Sequence, residues 1–375
     1  MQTFAPMAGG LMLALLMTTA GAAQAGTFVY VSNAEDGDIG AYALLPDGSL
    51  VPGARVAAGK PVMPMSVSPD RRFLYAAVRS KPFAVITYAI DPKTGALTRR
   101  SDAALAESLP YIRVDKTGTV LLGASYGGHL VSVNAIGKDG AVSDPKQVIP
   151  TARNAHSIIT DHTNGFVFVP HLGTDQIFQF RLDAKAGRLT ANTPPVVQMK
   201  AGSGPRHIIM SSDNRFAYLL NELTATVTTL ALDARTGLLT EVSSASALPP
   251  DTKLVPGAPR PSPPGRNVDN DIWASDLHLT PDGKFLYAAE RTSSSLGALR
   301  VDPATGTLTY LSSTPTEPQP RGFGIDPTGR TLIVSGEKSD TLSVYTIDPA
   351  SGALSLRQKY PTGKGSNWVE IVSFD

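Results

Sequence analysis

The sequence predicts an all-β fold, a seven-bladed β-propeller whose ring is closed by pairing of the N- and C-terminal strands in one blade. Three observations support this prediction: a turn motif that recurs seven times, short strands between these turns, and terminal segments that complement each other. A repeat of about 40–50 residues built from short strands is typical of propeller blades.

The recurring motif is a strand that ends in a turn approximating Asp-Pro-x-Thr-Gly-x-Leu. Successive copies lie 45 to 50 residues apart except for one step of 69 residues. The copies begin at Tyr42, Tyr88, Val133, Phe180, Leu230, Leu299 and Tyr345. Proline presets φ and glycine accepts a positive φ, so we interpret these turns as scaffold and exclude their carboxylates from the candidate site.

One blade is especially clear, from Gly204 to about Leu239. Its strands are short, rich in β-branched, aliphatic and aromatic residues, and bounded by turn residues. They are predicted to begin at His207, Phe216, Thr226 and Leu238.

The two ends of the chain are predicted to share a blade. The segment from Thr27 matches a second strand, whereas the segment from Asn367 matches a first strand. Their pairing would remove free sheet edges. In this register the seven first strands begin near Met65, Ile112, His156, His207, Asp276, Gly322 and Trp368.

Residues 1–25 are predicted to be a signal peptide. An apolar run precedes an Ala-x-Ala signal that ends at Ala25. We expect cleavage after Ala25 and a periplasmic or secreted domain spanning residues 26–375, with no membrane attachment after cleavage. An uncleaved membrane anchor is the alternative, which the short apolar run disfavours.

Composition limits the chemistry and the partners. The chain contains no cysteine, which excludes disulfides, thiolate nucleophiles and cysteine-ligated zinc. The formal net charge is +1 and there is no basic run, so a nucleic-acid partner is not expected. A closed ring leaves no sheet edge to pair, and we therefore expect a monomer whose partner is a small molecule.

Candidate site residues are concentrated on one face of the predicted propeller. Blade strands alternate in direction, so the loops entering first strands share a face with the turns between second and third strands. The candidates there are Tyr126, His156, His171, Arg206, His207, Asn221, Glu222, Arg291, Arg321 and Glu337. Arginine binds carboxylate or phosphate groups and histidine transfers protons near neutral pH, so we expect a small anionic or sugar-like ligand.

Several of these residues also have a structural interpretation. Glu290 could pair with Arg291 between blades, His207 could be a packed core residue, and His171 could be an ordinary polar turn residue. We expect the remaining histidines, His129, His162 and His278, to be structural or exposed.

The single long step between repeats contains a proline-rich insertion, residues 249–271. Two interpretations remain open: a tolerated surface loop, or a flap over the site, since the insertion lies on the face that carries the candidates.

The motif Gly-Pro-Arg-His at residues 204–207, followed by Asn221-Glu222, resembles the seven-bladed lactonase family. Residues 154–157, 169–175, 286–291 and 320–321 extend the resemblance. This family contains propeller-type 6-phosphogluconolactonases and fungal carboxy-muconate cyclases. The resemblance implies hydrolysis or formation of a lactone with no established metal requirement, so we expect no cofactor. It also implies that His156, Arg206, Glu222 and Arg291 are catalytic.

The chain departs from the family pattern near this site. The family usually has Asp at the position of His171, Asn-Arg at residues 290–291 and Ala-Asn-Tyr at residues 124–126. The substrate is therefore expected to differ. The predicted signal peptide also favours a different substrate, because an exported enzyme would rarely meet a phosphorylated cytoplasmic metabolite.

Three functions follow as hypotheses. The first is an exported lactonase, in which His156 or Glu222 activates water while Arg206 and Arg291 hold the anionic substrate. The second is a muconate-type lactonising cyclase, whose two substrate carboxylates would suit the several arginines, which include Arg79. The third is a non-catalytic propeller that binds a ligand or a protein. A metal site at His156, His207 and Glu222 is disfavoured, because calcium prefers oxygen ligands.

Overall fold

The structure, a computed structural model, describes residues 1–2 and 26–374, so nearly all of the predicted signal peptide lies outside the described residues. The first strands of the chain are β1 (Thr27–Asn33), β2 (Asp38–Leu44), β3 (Leu50–Ala57), β4 (Val62–Val67), β5 (Phe73–Val78), β6 (Ala84–Ile90) and β7 (Leu97–Ala104). They are followed by β8 (Tyr111–Val114), β9 (Val120–Ser125), β10 (Leu130–Ile136), β11 (Val142–Pro150), β12 (Ile159–Thr160), β13 (Phe166–His171), β14 (Gln176–Asp183) and β15 (Arg188–Gln198).

The second half of the chain continues the same pattern. Its strands are β16 (Pro205–Met210), β17 (Phe216–Asn221), β18 (Thr226–Asp233), β19 (Leu238–Ser246), β20 (Ala274–Leu279), β21 (Phe285–Glu290), β22 (Ser295–Val301) and β23 (Leu308–Pro315). The last strands are β24 (Pro320–Ile325), β25 (Thr331–Gly336), β26 (Thr341–Ile347), β27 (Leu354–Pro361) and β28 (Ser366–Ser373).

Seven four-stranded antiparallel sheets form the blades of a propeller. Blades 2 to 7 each take four consecutive strands, from β4–β7 in blade 2 to β24–β27 in blade 7. Blade 1 has the order β28-β1-β2-β3, with Thr27 paired to Ser373 and Val31 to Val369. The predicted seven-bladed fold and its closure by the two chain ends are confirmed.

The repeated turn motif connects the third and fourth strands of a blade and packs against the neighbouring blade. In blade 2 the carboxylate of Asp91 accepts the backbone N–H groups of Lys93 and Thr94, which closes the turn. Gly95 has a φ of 68°, and an added Cβ there would overlap the ring of Phe28 in blade 1. Glycine is therefore required both by the backbone conformation and by the close packing of the two blades.

The first strand of blade 4 is shorter than the sequence predicts. The expected start near His156 is wrong, because regular pairing is confined to β12 at Ile159–Thr160. Asn154 has a φ of 62°, which interrupts an extended strand, and Ala155 forms only an isolated bridge with His171. His156 thus lies in an irregular segment at the mouth of the central channel.

The insertion leads from β19 of blade 5 into β20 of blade 6 and is held by internal contacts and by contacts with the propeller. Within the insertion, Val255 forms a parallel bridge with Asp271, and Arg266 forms an ion pair of 2.8 Å with Asp271. The N–H of Gly257 donates to the carbonyl of Leu223 at 2.9 Å. These contacts fix the insertion on the face where first strands begin.

A search of the described residues for a helix of sufficient length and apolarity to cross a membrane finds none.

Candidate active site

Four of the predicted residues meet at the mouth of the central channel. Arg206 lies near the start of β16, Glu222 follows β17 and Arg291 follows β21, while His156 comes from the irregular entry to blade 4. Three adjacent blades therefore supply the cluster. Each of these four side chains belongs to a residue that is at most 5% exposed.

Glu222 is the hub of this cluster. Its Oε2 accepts a hydrogen bond from Nε of Arg206 at 2.7 Å and another from Nη2 of Arg291 at 3.0 Å. Nε2 of His156 lies 3.8 Å from the same oxygen. Nη2 of Arg206 and Nη1 of Arg291 donate to no partner among residues 1–2 and 26–374, which leaves each guanidinium a donor for a ligand.

Burial sets the charge of these groups. It lowers the pKa of Arg206 to about 9 and that of Arg291 to about 10, so both stay cationic at neutral pH. Burial, followed by the positive charge of Arg206, lowers the pKa of His156 well below its ordinary value. His156 is therefore a neutral imidazole, and its Nδ1 is buried without a partner in the described part of the chain.

His207 is tied into the cluster through both ring nitrogens. Nε2 lies 2.9 Å from Nη1 of Arg206, and Nδ1 lies 2.9 Å from Oδ1 of Asp276. Its ring also packs edge-on against Tyr111. Neither nitrogen is left to bind a substrate or a metal, although the sequence predicts a substrate-binding role. In the described residues, no group of three or more potential ligands is arranged to hold a metal ion.

Two further arginines come from blades 2 and 7. Arg321 of blade 7 lies 3.6 Å from Glu337, and both side chains are partly exposed. Arg79 follows β5 of blade 2 and donates from Nε to Oγ of Ser108 at 3.0 Å. Burial and then the charge of Arg321 lower the pKa of Arg79 to about 10. The positive charge of Arg321 also helps to lower the pKa of His156.

The insertion covers the cluster. Tyr126 packs edge-on against His156, and its hydroxyl donates to the carbonyl of Arg260 in the insertion at 3.0 Å. The guanidinium of Arg260 lies 4.7 Å from the ring centroid of Trp273, and that of Arg291 lies 3.6 Å from the same centroid. A chain of contacts therefore runs from blade 3 through the insertion to blade 6, which is the arrangement of a flap.

Two predicted site residues lie apart from the cluster. Asn221 donates to the hydroxyls of Thr226 and Thr228 within its own blade, at 3.0 Å each. His171 packs on Phe178, its Nδ1 lies 2.8 Å from the carbonyl of Val169, and burial lowers its pKa to about 4. These contacts lie within their own blades, and Oδ1 of Asn221 and Nε2 of His171 are each buried without a partner in the described residues.

Glu290 also has a structural role. Its carboxylate accepts the backbone N–H groups of Trp273 at 2.7 Å and Ser293 at 2.6 Å, and so holds the turn between β21 and β22. The ion pair between blades is instead made by Arg291 with Glu222.

The other histidines have structural partners. His129 Nδ1 accepts the N–H of Asn154, and His162 Nε2 lies 2.9 Å from the carbonyl of Ser211. His278 Nε2 lies 3.1 Å from Asp276. These contacts fit the structural roles expected from the sequence.

Three residues of the site are missing from the sequence-based candidates: Trp273, Asp276 and Arg260. Asp276 could have been found, because it aligns with His207 as the start of a first strand in the next blade, and such positions are neighbours around the channel. Nothing in the sequence shows that Arg260 folds back over Trp273.

Fold and site together define a propeller with a buried, arginine-rich polar cluster at the mouth of its channel, beneath a flap. Residues 28–371 match the model of the family described as Lactonase, 7-bladed beta-propeller, and the chain belongs to this family. The resemblance seen in the sequence is thereby confirmed.

Relatives and solved structures agree with this assignment. The chain is 38% identical over 345 residues to a 6-phosphogluconolactonase of Serratia proteamaculans, covering 92% of this chain and 98% of that protein. It is 37% identical over 347 residues to a 6-phosphogluconolactonase of Pectobacterium carotovorum, covering 92% and 99%. The solved structure of the periplasmic gluconolactonase of Pseudomonas aeruginosa matches with a TM-score of 0.81 and 27% identity, covering 94% of this chain and 100% of that chain.

Proposed function

We propose that this protein is a metal-independent lactonase that hydrolyses a sugar-acid lactone at the cluster of His156, Arg206, Glu222 and Arg291. The observation that carries the proposal is a neutral, buried His156 beside two cationic guanidinium groups, each with a donor left for a ligand. The names of the relatives support the class of substrate, since two are 6-phosphogluconolactonases and a structural neighbour is a gluconolactonase.

His156 acts as the general base. It takes a proton from water, and the water oxygen bonds to the lactone carbonyl carbon. Glu222 is the weaker candidate because its Oε2 already accepts two hydrogen bonds. When His156 becomes an imidazolium, the carboxylate 3.8 Å away stabilises the new charge.

Arg206 and Arg291 stabilise the oxyanion. Their remaining N–H groups donate to the carbonyl oxygen as it gains negative charge, in a buried site where such hydrogen bonds are strong. The bond from the carbonyl carbon to the ring oxygen then breaks, and the ring oxygen takes the proton from His156. The product is the open-chain acid, and His156 is again neutral.

Arg79 and Arg321 bind the remote part of the substrate. Their charges suit a phosphate or a polyol of a sugar acid. The same four arginines could hold two carboxylates, and this favours a muconate-type cyclisation as the second candidate. Loss of the ultraviolet absorbance of a muconate diene would identify that reaction.

We also propose that the protein is exported as a monomer, after cleavage of residues 1–25 following Ala25. The composition of this segment and the periplasmic origin of the structural neighbour support export. Cell fractionation with N-terminal sequencing tests it, and a mature chain that begins at Gly26 is expected. Light scattering after size exclusion tests the monomeric state.

A pH-stat assay of the mature chain tests the activity. We expect acid release from δ-gluconolactone or 6-phosphogluconolactone above the spontaneous rate, unchanged by a chelator. The ratio of the two rates shows whether phosphate is recognised. Ligand-induced thermal stabilisation without turnover would instead indicate a non-catalytic binding propeller.

A further inference from the structure

We infer that Asp276 is a positioning residue that fixes the tautomer of His207 and, through it, the orientation of the Arg206 guanidinium. This inference rests on the proposed function only for its kinetic test. The supporting contacts form a buried chain that runs from Glu222 through Arg206 and His207 to Asp276.

Nε2 of His207 faces the guanidinium of Arg206. A guanidinium only donates hydrogen bonds, so at 2.9 Å from Nη1 the Nε2 of His207 must be the acceptor. A neutral imidazole that accepts at Nε2 carries its proton on Nδ1. Nδ1 lies 2.9 Å from a carboxylate oxygen of Asp276, which only accepts. Both contacts therefore require the same tautomer.

The carboxylate of Asp276 is held in place by further hydrogen bonds. Its Oδ1 also accepts the N–H of Leu277 at 3.0 Å, while Oδ2 contacts His278 at 3.1 Å and the N–H of Phe323 at 3.4 Å. With both oxygens occupied, the carboxylate cannot rotate to release the His207 proton. The acceptor that selects the tautomer is thus fixed by blades 6 and 7.

The tautomer of His207 determines how the Arg206 guanidinium is oriented. Two acceptors hold its guanidinium, Oε2 of Glu222 at Nε and Nε2 of His207 at Nη1, and they aim the remaining Nη2 into the chamber. The opposite tautomer would place the N–H of Nε2 against the N–H of Nη1. The ring packs edge-on between Tyr111 and His156, which prevents it from turning away. Loss of Asp276 should therefore disturb a catalytic residue that it does not touch.

The direct test is the tautomer itself, which is independent of activity. In the mature protein labelled with ¹⁵N-histidine, His207 is identified by its absence in the His207→Gln variant. We expect its Nδ1 to be protonated and its Nε2 to be unprotonated at neutral pH. In Asp276→Ala this preference should weaken, because only the contact with Arg206 then selects the tautomer. A wild-type His207 with its proton on Nε2 overturns the inference, whether or not the protein is a lactonase.

The kinetic test uses a double mutant. Asp276→Ala should lower kcat/KM at least tenfold, as is common when the partner that orients a functional histidine is removed. In His207→Gln the amide oxygen can accept from Arg206, and an amide has no alternative tautomer for Asp276 to select. Asp276→Ala should therefore lower kcat/KM by less than about threefold in that background. Equal losses in both backgrounds would show that Asp276 is merely structural.

Asp115→Ala is the matched control. Asp115 is also fully buried and closes a turn on the opposite face through the N–H groups of Thr119 and Val120. It should lower the melting temperature but leave the His207 tautomer and kcat/KM unchanged. If wild-type protein hydrolyses no lactone, the proposed function fails while the tautomer measurement still decides this inference.

Discussion

At the scale of single residues, one carboxylate oxygen holds the two buried guanidinium groups of the site. Oε2 of Glu222 accepts from both Arg206 and Arg291, so the two cations are kept close together despite their repulsion. Removing one partner from a buried ion pair is costly, because the remaining charge stays buried without compensation. Glu222 thus stabilises the fold and orients both guanidinium groups at once.

Glu222→Gln tests this double role. The variant keeps the shape of the side chain but leaves two buried cations against a neutral amide, and we expect a loss of about 3 kcal/mol or more in unfolding free energy. Urea denaturation measures this loss. Glu337→Gln is the control, since Glu337 is partly exposed beside Arg321 and should cost less than about 1 kcal/mol. Equal stability of Glu222→Gln and wild type would contradict the account.

The residues of the site were only partly predictable. His156, Arg206, Glu222 and Arg291 could be placed together, because strand direction puts blade entries and second-strand exits on one face. Asn221 and His171 occupy such positions as well, yet their side chains turn into the blades. Position along a strand predicts the face of a propeller, but not the rotamer that aims a side chain at the channel.

At the scale of elements, the insertion contacts residues that pack on the buried cluster. The carbonyl of Arg260 accepts the hydroxyl of Tyr126, which ties the insertion to blade 3 across the buried cluster. Its path could not be predicted, because a proline-rich segment has no periodic pattern that specifies its packing.

Tyr126→Phe should loosen the insertion. One partly buried hydrogen bond contributes about 1 kcal/mol, so its loss should increase the open population roughly fivefold. Hydrogen exchange of amides in residues 249–271 measures the effect, which should be confined to this segment. Tyr75→Phe is the control, since the Tyr75 hydroxyl has no hydrogen-bond partner in the described chain and Tyr75 lies in β5 of blade 2. Wild-type exchange in Tyr126→Phe would refute the role of this contact.

The turn glycines test how blades are joined. Gly95→Ala would introduce a Cβ against Phe28 at a positive φ, whereas Gly202→Ala has a similar φ of 75° but no atom within 4 Å. Both variants should be destabilised by the backbone conformation. Gly95→Ala should lose at least about 1 kcal/mol more, because overpacking adds to the strain. Equal losses in urea denaturation would show that the turn glycines are needed for conformation alone.

The blades themselves could be predicted because their turn chemistry repeats. Aspartate, proline and glycine occupy fixed places in the motif, and each has a local physical reason to be there. The shortened β12 could not be predicted, since the positive φ of Asn154 interrupts a segment whose composition otherwise suits a strand.

At the scale of the whole molecule, burial of neutral histidines makes stability depend on pH. Burial lowers the pKa of His171 to about 4 and that of His207 to about 3. Between these values and about 6.5, the unfolded chain takes up protons that the folded chain does not. This contribution to stability is complete above pH 6.5 and is lost as the pH falls. The raised pKa of His278 acts in the opposite direction.

His171→Asn isolates one part of this effect. The asparagine amide can still donate to the carbonyl of Val169 but takes up no proton. Between pH 7.5 and pH 5, wild type should lose roughly 2 kcal/mol more unfolding free energy than the variant. Urea denaturation at the two pH values measures the difference. Parallel losses in both proteins would mean that the pKa of His171 is the same in the folded and unfolded states.

Closure of the ring by β1 and β28 gives the molecule a rigid channel on which the site is assembled from three blades. The central claim is that a neutral His156 at the mouth of this channel activates water for lactone hydrolysis. The most direct measurement is kcat/KM of His156→Asn on the gluconolactones, compared with wild type and with His129→Asn, which retains an acceptor for the N–H of Asn154. The account predicts a loss of at least about tenfold in His156→Asn at an unchanged fold, with His129→Asn near wild type. A kcat/KM of His156→Asn within about twofold of wild type would contradict it.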